Sequence, residues 1–174
     1  MKISLELLDI KNSQDIYDFE VENRAYFERN LPSRGEDYYV LENFNNIIKE
    51  LIDEQNRGEC FMYVIRNETG KVLGRINLVS VKNERIKTAE LGYRIGQTEV
   101  GKGVATKAVQ MVLNLGIEKH QLEEVTAGTS KDNIASQKIL EKNGFLCIGA
   151  DENYMQLNGE KIDSLKYIKK LERI

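Results

Sequence analysis

Hydrophobic and polar positions change their spacing along the chain, and the spacing predicts the elements. Residues Ile3–Leu7 alternate apolar and polar side chains, a period of two that is typical of a half-buried strand. Apolar residues then recur every three or four positions, which predicts two helices, one with Ser13 as its N-cap and one over 36–55. The first helix should end before Pro32, because the residue preceding a proline disfavours helical geometry, and Gly58 should end the second.

Short apolar runs and two further helical patterns fill the rest of the chain. The turn residues 67–70 join two of the runs into a predicted β-hairpin, and Gly144 is the expected end of the last helix. The predicted strands are Phe61–Ile65, Val72–Val81, Thr88–Ile95, Val125–Thr129, Phe145–Gly149 and Ser164–Leu171, and the predicted helices are Val104–Lys119 and Asn133–Asn143. This order, βααβββαβαββ, favours one mixed α/β sheet domain over residues 1–174.

The composition narrows the class of protein. The 174 residues are 41% hydrophobic and 30% charged, with a formal net charge of −3, as in an ordinary globular domain. No apolar run reaches the roughly 18 residues that span a bilayer, and the N-terminal segment lacks the pattern of a signal peptide. One His and two Cys are too few for a His-based triad, a structural zinc site or a dense disulfide framework. We therefore expect a cytoplasmic protein that needs no metal and binds neither nucleic acid nor a membrane.

The sulfur and imidazole side chains are predicted to be structural. Cys60 and Cys147 lie in apolar strand contexts, which favour buried thiols. His120 comes just after a predicted helix, where a protonated imidazole would interact favourably with the negative end of the helix dipole.

A glycine-rich turn between a predicted strand and a predicted helix carries the clearest functional signal. Gly101 and Gly103 permit a tight turn and expose successive N–H groups, and the first N–H groups of a helix have no acceptor within it. This construction predicts a phosphate or pyrophosphate site, although two glycines also occur in plain tight turns.

Two general nucleotide motifs match incompletely. Gly96–Gly103 lacks the Ser or Thr of a Walker A motif, and Gly101–Thr106 lacks the third Gly or Ala of a dinucleotide fingerprint.

Two longer motifs carry a family resemblance. The segments Glu90-Leu-Gly-Tyr-Arg-Ile-Gly and Val100-Gly-Lys-Gly-Val-Ala-Thr together resemble motif A of the GNAT superfamily of N-acetyltransferases. The later segment Asn133-Ile-Ala-Ser-Gln-Lys-Ile-Leu-Glu-Lys-Asn-Gly-Phe145 is similar to the second motif of its RimJ/RimL type, the ribosomal-protein N-terminal acetyltransferases. The tail 159–167 and the order of elements also resemble that group over nearly the whole chain. Val100 departs from the Gln or Arg that the family carries at this position.

The resemblance implies both a fold and a reaction. The implied fold is a mixed, mostly antiparallel sheet of about six or seven strands with about four helices. The sheet should open between Thr88–Ile95 and Val125–Thr129 to admit acetyl-CoA. The implied reaction is direct acetyl transfer from acetyl-CoA to a primary amine, most readily the N-terminal α-amine of a protein or peptide. A small-molecule amine (polyamine, amino acid or aminoglycoside) and a non-catalytic acetyl-CoA-binding module stay open. Both a monomer and a homodimer are compatible with the sequence.

Residue roles follow from the same resemblance. Glu90 is the implied base, acting through a water, and Ser136 is the implied proton donor or hydrogen-bond partner at the coenzyme sulfur, with Tyr154 and Tyr167 as alternative acids. Asn133 would bind the pantetheine arm and could cap its helix as well. The implied coenzyme-binding residues are Asn133 and Ser136 at the arm, the backbone of Tyr93, Arg94 and Ile95 at the thioester, and Val100, Gly101, Lys102, Gly103, Val104, Ala105 and Thr106 at the pyrophosphate. Lys102 and Lys107 could add positive charge there.

The acceptor amine should bind between the helices that precede Gly58 and the loop over residues 30–39. Aromatic and basic side chains cluster in this region. They are Tyr26, Phe27, Tyr38 and Tyr39, expected mainly in core and lid packing, and Arg29 and Arg34, which either receive an acidic peptide or carboxylate or stay solvated.

Overall fold

A seven-stranded sheet forms the centre of the molecule. The computed structural model describes residues 1–172, apart from the side chains of residues 153 and 154. The strands are β1 (Ile3–Leu7), β2 (Phe61–Asn67), β3 (Val72–Asn83), β4 (Lys87–Ile95), β5 (Glu124–Ser130), β6 (Leu146–Leu157) and β7 (Glu160–Lys170). They lie in the order β1-β2-β3-β4-β5-β7-β6, and every neighbouring pair is antiparallel except β4 and β5, which run parallel.

Helices cover both faces of the sheet. The described α-helices are α1 (Ser13–Glu22), α2 (Arg24–Asn30), α3 (Leu41–Asn56), α4 (Val104–Glu118) and α5 (Ile134–Lys142). On one face, Val64 of β2 packs with Ile16 of α1 and Phe44 of α3. On the other face, Leu91 of β4 packs with Val109 of α4. None of the helices in the described part of the chain has both the length and the apolar character needed to cross a membrane.

The first predicted helix is in fact two helices, so there are five described α-helices where about four were predicted. The break occurs at Asn23, whose backbone has φ −99° and ψ 5°. Its side chain donates to the Phe19 carbonyl at 2.9 Å and accepts from the Gln97 N–H at 2.9 Å. The helix is therefore interrupted at Asn23, and the side chain of Asn23 fixes α1 against the loop that follows β4 through its hydrogen bond from Gln97.

The second predicted helix begins later than its pattern indicated. Residues Glu36–Tyr39 form a short 3-10 turn, and Val40 is extended, with φ −81° and ψ 120°. The Tyr17 hydroxyl donates to the Tyr39 carbonyl at 2.8 Å, which fixes this turn against α1. Ser13 is also not an N-cap: it is the first residue of α1, and its hydroxyl donates to Asn45 of α3 at 2.6 Å.

The C-terminal hairpin is longer than predicted. β6 and β7 span 12 and 11 residues, whereas the apolar runs predicted only their outer parts. The turn is Asn158-Gly159, with φ 50° and φ 81°. An Asn-Gly pair favours a two-residue hairpin turn because both positions accept positive φ. That dipeptide was the available sequence signal for the full hairpin.

Two predictions about single side chains are wrong. Cys147 lies exposed on the edge strand β6, whereas Cys60 is buried as expected. His120 is buried, stacks on the Phe61 ring with centroids 3.5 Å apart, and shares a 2.6 Å hydrogen bond with the Tyr63 hydroxyl. Burial, aided by the charges of nearby lysines, lowers the pKa of His120 to about 4. A neutral imidazole cannot act as the cationic partner of a helix dipole.

The depressed pKa of His120 predicts a loss of stability in mild acid. Between its unfolded pKa of about 6.5 and its folded pKa of about 4, the unfolded chain binds the extra proton, so the free energy of unfolding falls as pH falls through this window. The shift corresponds to a loss on the order of 3 kcal/mol by pH 4. Urea unfolding from pH 7 to pH 4 should show a steeper decline for wild type than for His120→Gln. An equal decline in the free energy of unfolding of the two proteins would contradict this role of His120.

Candidate active site

The sheet opens between its two parallel strands. β4 and β5 pair from Thr88 opposite Glu124 to Leu91 opposite Ala127. Beyond that point β4 continues against β3 alone and β5 against β7 alone. The edge of β4 facing β5 therefore has backbone groups without a ladder partner from Gly92 onward. This confirms the predicted opening and leaves peptide groups available to a ligand.

The glycine-rich turn has the geometry of an anion site. Gly101 and Gly103 adopt φ values of 79° and 77°, and an added Cβ at either position would meet no described atom within 4 Å. The first hydrogen bond into α4 runs from the Lys107 N–H to the Gly103 carbonyl at 3.1 Å. The N–H groups of Val104–Thr106 therefore have no acceptor within the helix, and they lie at its positive end.

A buried carboxylate organises the charge beside this turn. Glu99 accepts from Lys102 at 3.2 Å and from Lys71 at 3.3 Å, and its side chain is 8% exposed. Burial alone would raise its pKa, but the hydrogen bonds from Lys102, Thr98 and Lys71 lower it. Two ammonium groups share one carboxylate, so a positive charge is left beside the turn. Lys107 points elsewhere and donates to the Met1 carbonyl at 3.2 Å.

Glu90 lies one residue before the last paired position of the β4–β5 ladder. It is opposite Val79 of β3 and Thr126 of β5, and it is half-buried. Strand alternation puts Glu90 and Gly92 on the face covered by α1 and α3, opposite the face that carries Leu91. Its carboxylate has no hydrogen bond or ion pair to any described residue, so it is available to a water or an amine.

Ser136 and Tyr93 meet across the opening. The Ser136 hydroxyl, on α5, is 2.8 Å from the Tyr93 hydroxyl, on β4. Burial raises the pKa of Tyr93, while the hydrogen bond to Ser136 acts in the opposite direction. Sequence reasoning included Tyr93 only through its backbone, so this side-chain contact was missed.

The second motif is held in place by hydrogen bonds. The Asn133 side chain accepts from the Ser136 N–H at 3.0 Å, which confirms it as the N-cap of α5. At the other end of α5, Asn143 donates to the Thr106 carbonyl at 3.2 Å and so ties this helix to the first turn of α4. Tyr167 is buried, with its hydroxyl 3.4 Å from Glu141. The side chain of Tyr154 lies outside the described residues.

Arg94 is directed away from the pyrophosphate turn. Its side chain lies on the α1–α2 face, where it donates to Glu20 at 3.2 Å and lies 5.0 Å from the centre of the Phe27 ring. Only its backbone remains for the coenzyme role predicted for it. Sequence reasoning missed Glu20 and Arg75, the buried partners. The sequence signal for them was a charged residue in an otherwise apolar pattern: Glu20 on the apolar face of a helix, and Arg75 within an apolar strand.

The predicted acceptor region lies over this same face. Phe27 and Tyr38 are buried, as core packing required, whereas Tyr26 and Tyr39 are partly exposed. Arg34 lies over the Tyr38 ring, with its guanidinium carbon 4.9 Å from the ring centre. Arg29 lies 5.8 Å from the Tyr26 ring on the exposed side of α2.

Comparison with known sequences identifies a family. Residues 5–146 match the sequence profile of the acetyltransferase (GNAT) domain. The chain is 26% identical over 153 residues to the probable N-acetyltransferase YjcK of Bacillus subtilis (strain 168), which covers 87% of this chain and 84% of that protein.

Comparison with solved structures supports the same fold. Ribosomal-protein-S5-alanine acetyltransferase from Vibrio fischeri matches with a TM-score of 0.93 at 19% identity, over 99% of this chain and 94% of that chain. Mycobacterium smegmatis RimJ in complex with CoA-disulfide matches with a TM-score of 0.87 at 22% identity, over 97% of this chain and 81% of that chain. The predicted mixed α/β GNAT fold is therefore confirmed.

Proposed function

Since the chain belongs to the acetyltransferase (GNAT) family, it is an acetyl-CoA-dependent N-acetyltransferase, and we propose that its acceptor is the N-terminal α-amine of a protein or peptide. The observation that carries this proposal is the opening of the sheet beside Glu90, on the face away from α4. The ribosomal-protein acetyltransferases to which the fold is similar support a polypeptide acceptor. A ribosomal or other cytoplasmic polypeptide would place the enzyme in the cytoplasm.

The pyrophosphate of acetyl-CoA is proposed to bind at the N-terminus of α4. Among the backbone N–H groups from Gly101 to Thr106, those of Val104–Thr106 are suited to this, because they have no acceptor within α4, lie at its positive end and follow two glycines with open space beside them. Backbone recognition also explains how the site tolerates Val100, since the side chain at that position is not needed for the N–H contacts. The positive charge that Lys71 and Lys102 leave beside Glu99 adds attraction for the diphosphate.

The acetyl group then lies at the unpaired edge of β4. There an N–H between Tyr93 and Ile95 polarises the thioester carbonyl, as a fixed dipole does in an oxyanion hole. Glu90 accepts a proton from the attacking amine through a water. The nitrogen forms a bond to the carbonyl carbon, and the carbon–sulfur bond breaks. The thiolate takes a proton from Ser136, which regains one from solvent through the Tyr93 hydroxyl that is hydrogen-bonded to it, and Glu90 releases its proton to solvent.

The acceptor class is tested with a matched panel of amines. A peptide with a free N-terminus should release thiol from acetyl-CoA and gain one acetyl group on its α-amine, as located by tandem mass spectrometry. The same peptide with a formylated N-terminus and an internal Lys, and spermidine, should be poor acceptors. Preferential acetylation of the Lys side chain or of spermidine would contradict the proposal.

Loss of the Ser136 hydroxyl should slow transfer without weakening coenzyme binding. A hydrogen bond to a charged group contributes roughly 1.5–3 kcal/mol, so Ser136→Ala should lower kcat about ten- to a hundredfold. Tyr93→Phe should give a smaller loss in the same direction, because it removes the partner of Ser136 but leaves the hydroxyl in place. Tyr167→Phe tests the alternative acid that the sequence offered and should leave kcat unchanged, because its hydroxyl is engaged with Glu141. If Ser136→Ala and Tyr93→Phe both keep the wild-type kcat, neither hydroxyl protonates the thiolate.

A further inference from the structure

Three charged side chains form a buried cluster beneath the acceptor face. Glu20 of α1 is fully buried and accepts from Arg75 of β3 at 2.5 Å and from Arg94 of β4 at 3.2 Å. Arg75 and Arg94 lie directly opposite each other across the two strands. The side chains of Arg75 and Arg94 are 4% and 14% exposed. The cluster is therefore a fixed part of the sheet rather than a solvated surface pair.

The cluster carries one positive charge more than it can neutralise. Two guanidinium groups share a single carboxylate, and an unbalanced charge in a poorly solvated position is costly unless a partner of opposite sign completes it. Burial, together with the charges of Arg34 and Arg75, lowers the pKa of Arg94 despite the opposing effect of Glu20. The Nε of Arg75 is buried without a hydrogen-bond partner among the described residues. The cluster thus keeps one positive charge that no described carboxylate balances.

Arg94 is the member of the cluster that can reach an anion. Only its Nη1 is hydrogen-bonded to a described residue, and its side chain keeps 14% of its surface exposed, more than that of Arg75. Arg75, in contrast, uses its two terminal nitrogens on Glu20, Tyr38 and Met62. The guanidinium of Arg94 thus has donors to spare in the fork geometry that suits a carboxylate.

On the face of the sheet that packs against α1, polar side chains follow one another along β4 and its neighbour β3. Glu90 supplies acceptor oxygens at one end, and Asn77, opposite Gly92 in register, has a buried carboxamide oxygen without a described partner. An added Cβ at Gly92 would meet no described atom within 4 Å, so there is open space at Gly92, between Glu90 and Arg94 along the strand. Arg94 supplies donors two residues further on, and Glu90 and Arg94 are about 13 Å apart at roughly 3.3 Å per residue. The carboxylate oxygens at the Glu90 end are suited to binding an amine, and the guanidinium N–H groups at the Arg94 end are suited to binding a carboxylate.

We propose that Arg94, oriented by Glu20 and Arg75, binds a carboxylate on the acceptor, and that the enzyme prefers peptides with an acidic residue at positions two to four. The inference rests on the proposed function, since it concerns the acceptor of the same site. The carboxylate of a free amino acid is too close to its own amine to bridge the two ends of the face. A polyamine would place a second cation against Arg94, so the cluster disfavours it.

The test compares peptides that differ in one charge. Two N-terminal peptides identical except for Glu or Gln at the second, third or fourth position are assayed for thiol release from acetyl-CoA. At one of these positions the Glu peptide should have a kcat/KM about tenfold higher or more, the size of one partly buried charge-assisted hydrogen bond. Arg94→Gln should remove this preference, and Arg94→Lys should retain part of it. The KM for acetyl-CoA should stay unchanged in both variants.

The substitution is well suited to the test because it should not endanger the fold. Arg94→Gln leaves Glu20 paired with Arg75, a neutral buried pair, and the unfolding midpoint in urea verifies this. Arg29→Gln, on the exposed side of α2, tests the alternative carboxylate site that the sequence suggested and should keep the preference. Equal rates for Glu and Gln peptides at all three positions, or a preference lost in Arg29→Gln but kept in Arg94→Gln, would overturn the assignment of Arg94. No acetylation of any peptide would overturn the proposed function itself.

Discussion

Gly103→Val should abolish tight acetyl-CoA binding. Gly103 holds a left-handed φ of 77° at the start of α4, which a β-branched residue adopts only at a cost of about 1–3 kcal/mol. The added side chain would also occupy the open space beside Gly103, the residue that precedes the N–H groups of Val104–Thr106. If two charge-assisted hydrogen bonds to the diphosphate are lost, each contributing roughly 1.5–3 kcal/mol, affinity falls about a hundredfold or more. Calorimetric titration with acetyl-CoA measures the loss.

A second glycine separates backbone strain from blocked binding. Gly70 has a φ of 83°, and a Cβ added there would also meet open space, but it lies in the turn between β2 and β3. Gly70→Val should therefore cost similar stability and leave coenzyme affinity unchanged. Wild-type affinity in Gly103→Val would mean that the diphosphate does not bind at this turn.

Glu90→Gln should slow acetyl transfer by about 10²–10⁴-fold near pH 7, the usual contribution of a general base. The carboxylate has no described partner, so the isosteric amide should not disturb folding. The deficit should shrink as pH rises past about 8, the pKa of an α-amine, because the amine then loses its proton to bulk water. The pH dependence of kcat/KM distinguishes this effect from a general loss of activity.

Glu124→Gln is the matched control for Glu90. Glu124 lies on the adjacent strand β5, opposite Thr88 and on the same face as Glu90, but at the end of the ladder away from the opening. Its removal should leave the pH–rate profile unchanged. A Glu90→Gln enzyme with the wild-type profile would show that Glu90 is not the base.

The elements were largely predictable because their signals are local. The seven strands and the glycine turn follow from side-chain period and glycine position, and the opening between β4 and β5 was implied by the family resemblance. The break at Asn23 and the late start of α3 at Leu41 were not predictable. Each is decided by a hydrogen bond to a distant segment, from Gln97 to Asn23 and from Tyr17 to Tyr39, which leaves no trace in the period of apolar residues.

The parts of the site that are formed by local backbone features were predictable from the sequence. The parts that are formed by side chains from distant segments were less predictable. The left-handed glycines at the start of α4 and the cap at Asn133 are local features. The contact of Tyr93 with Ser136 and the cluster around Glu20 join residues 43 to 74 positions apart. A charged residue in an apolar pattern could have marked Arg75 as buried and paired, but not its partner.

The surroundings of Arg94 show how one strand can serve both substrates. Residues of β4 alternate between the α4 face, where Tyr93 reaches Ser136, and the α1–α2 face, where Arg94 meets Glu20. The coenzyme and the acceptor can therefore approach the same strand from opposite faces and meet where the ladder to β5 ends. A single substitution on β4 should accordingly alter the binding of either the coenzyme or the acceptor, depending on the face to which the side chain points.

Direct acetyl transfer at this opening is tested most directly by following thiol release and acetyl-CoA binding on the same preparation. With a panel of peptides bearing free N-termini, we expect amine-dependent thiol release, one acetylated α-amine for each thiol, and loss of both in Gly103→Val. Tight coenzyme binding without turnover on any peptide or small-molecule amine would contradict it, and would identify the chain as an acetyl-CoA-binding module.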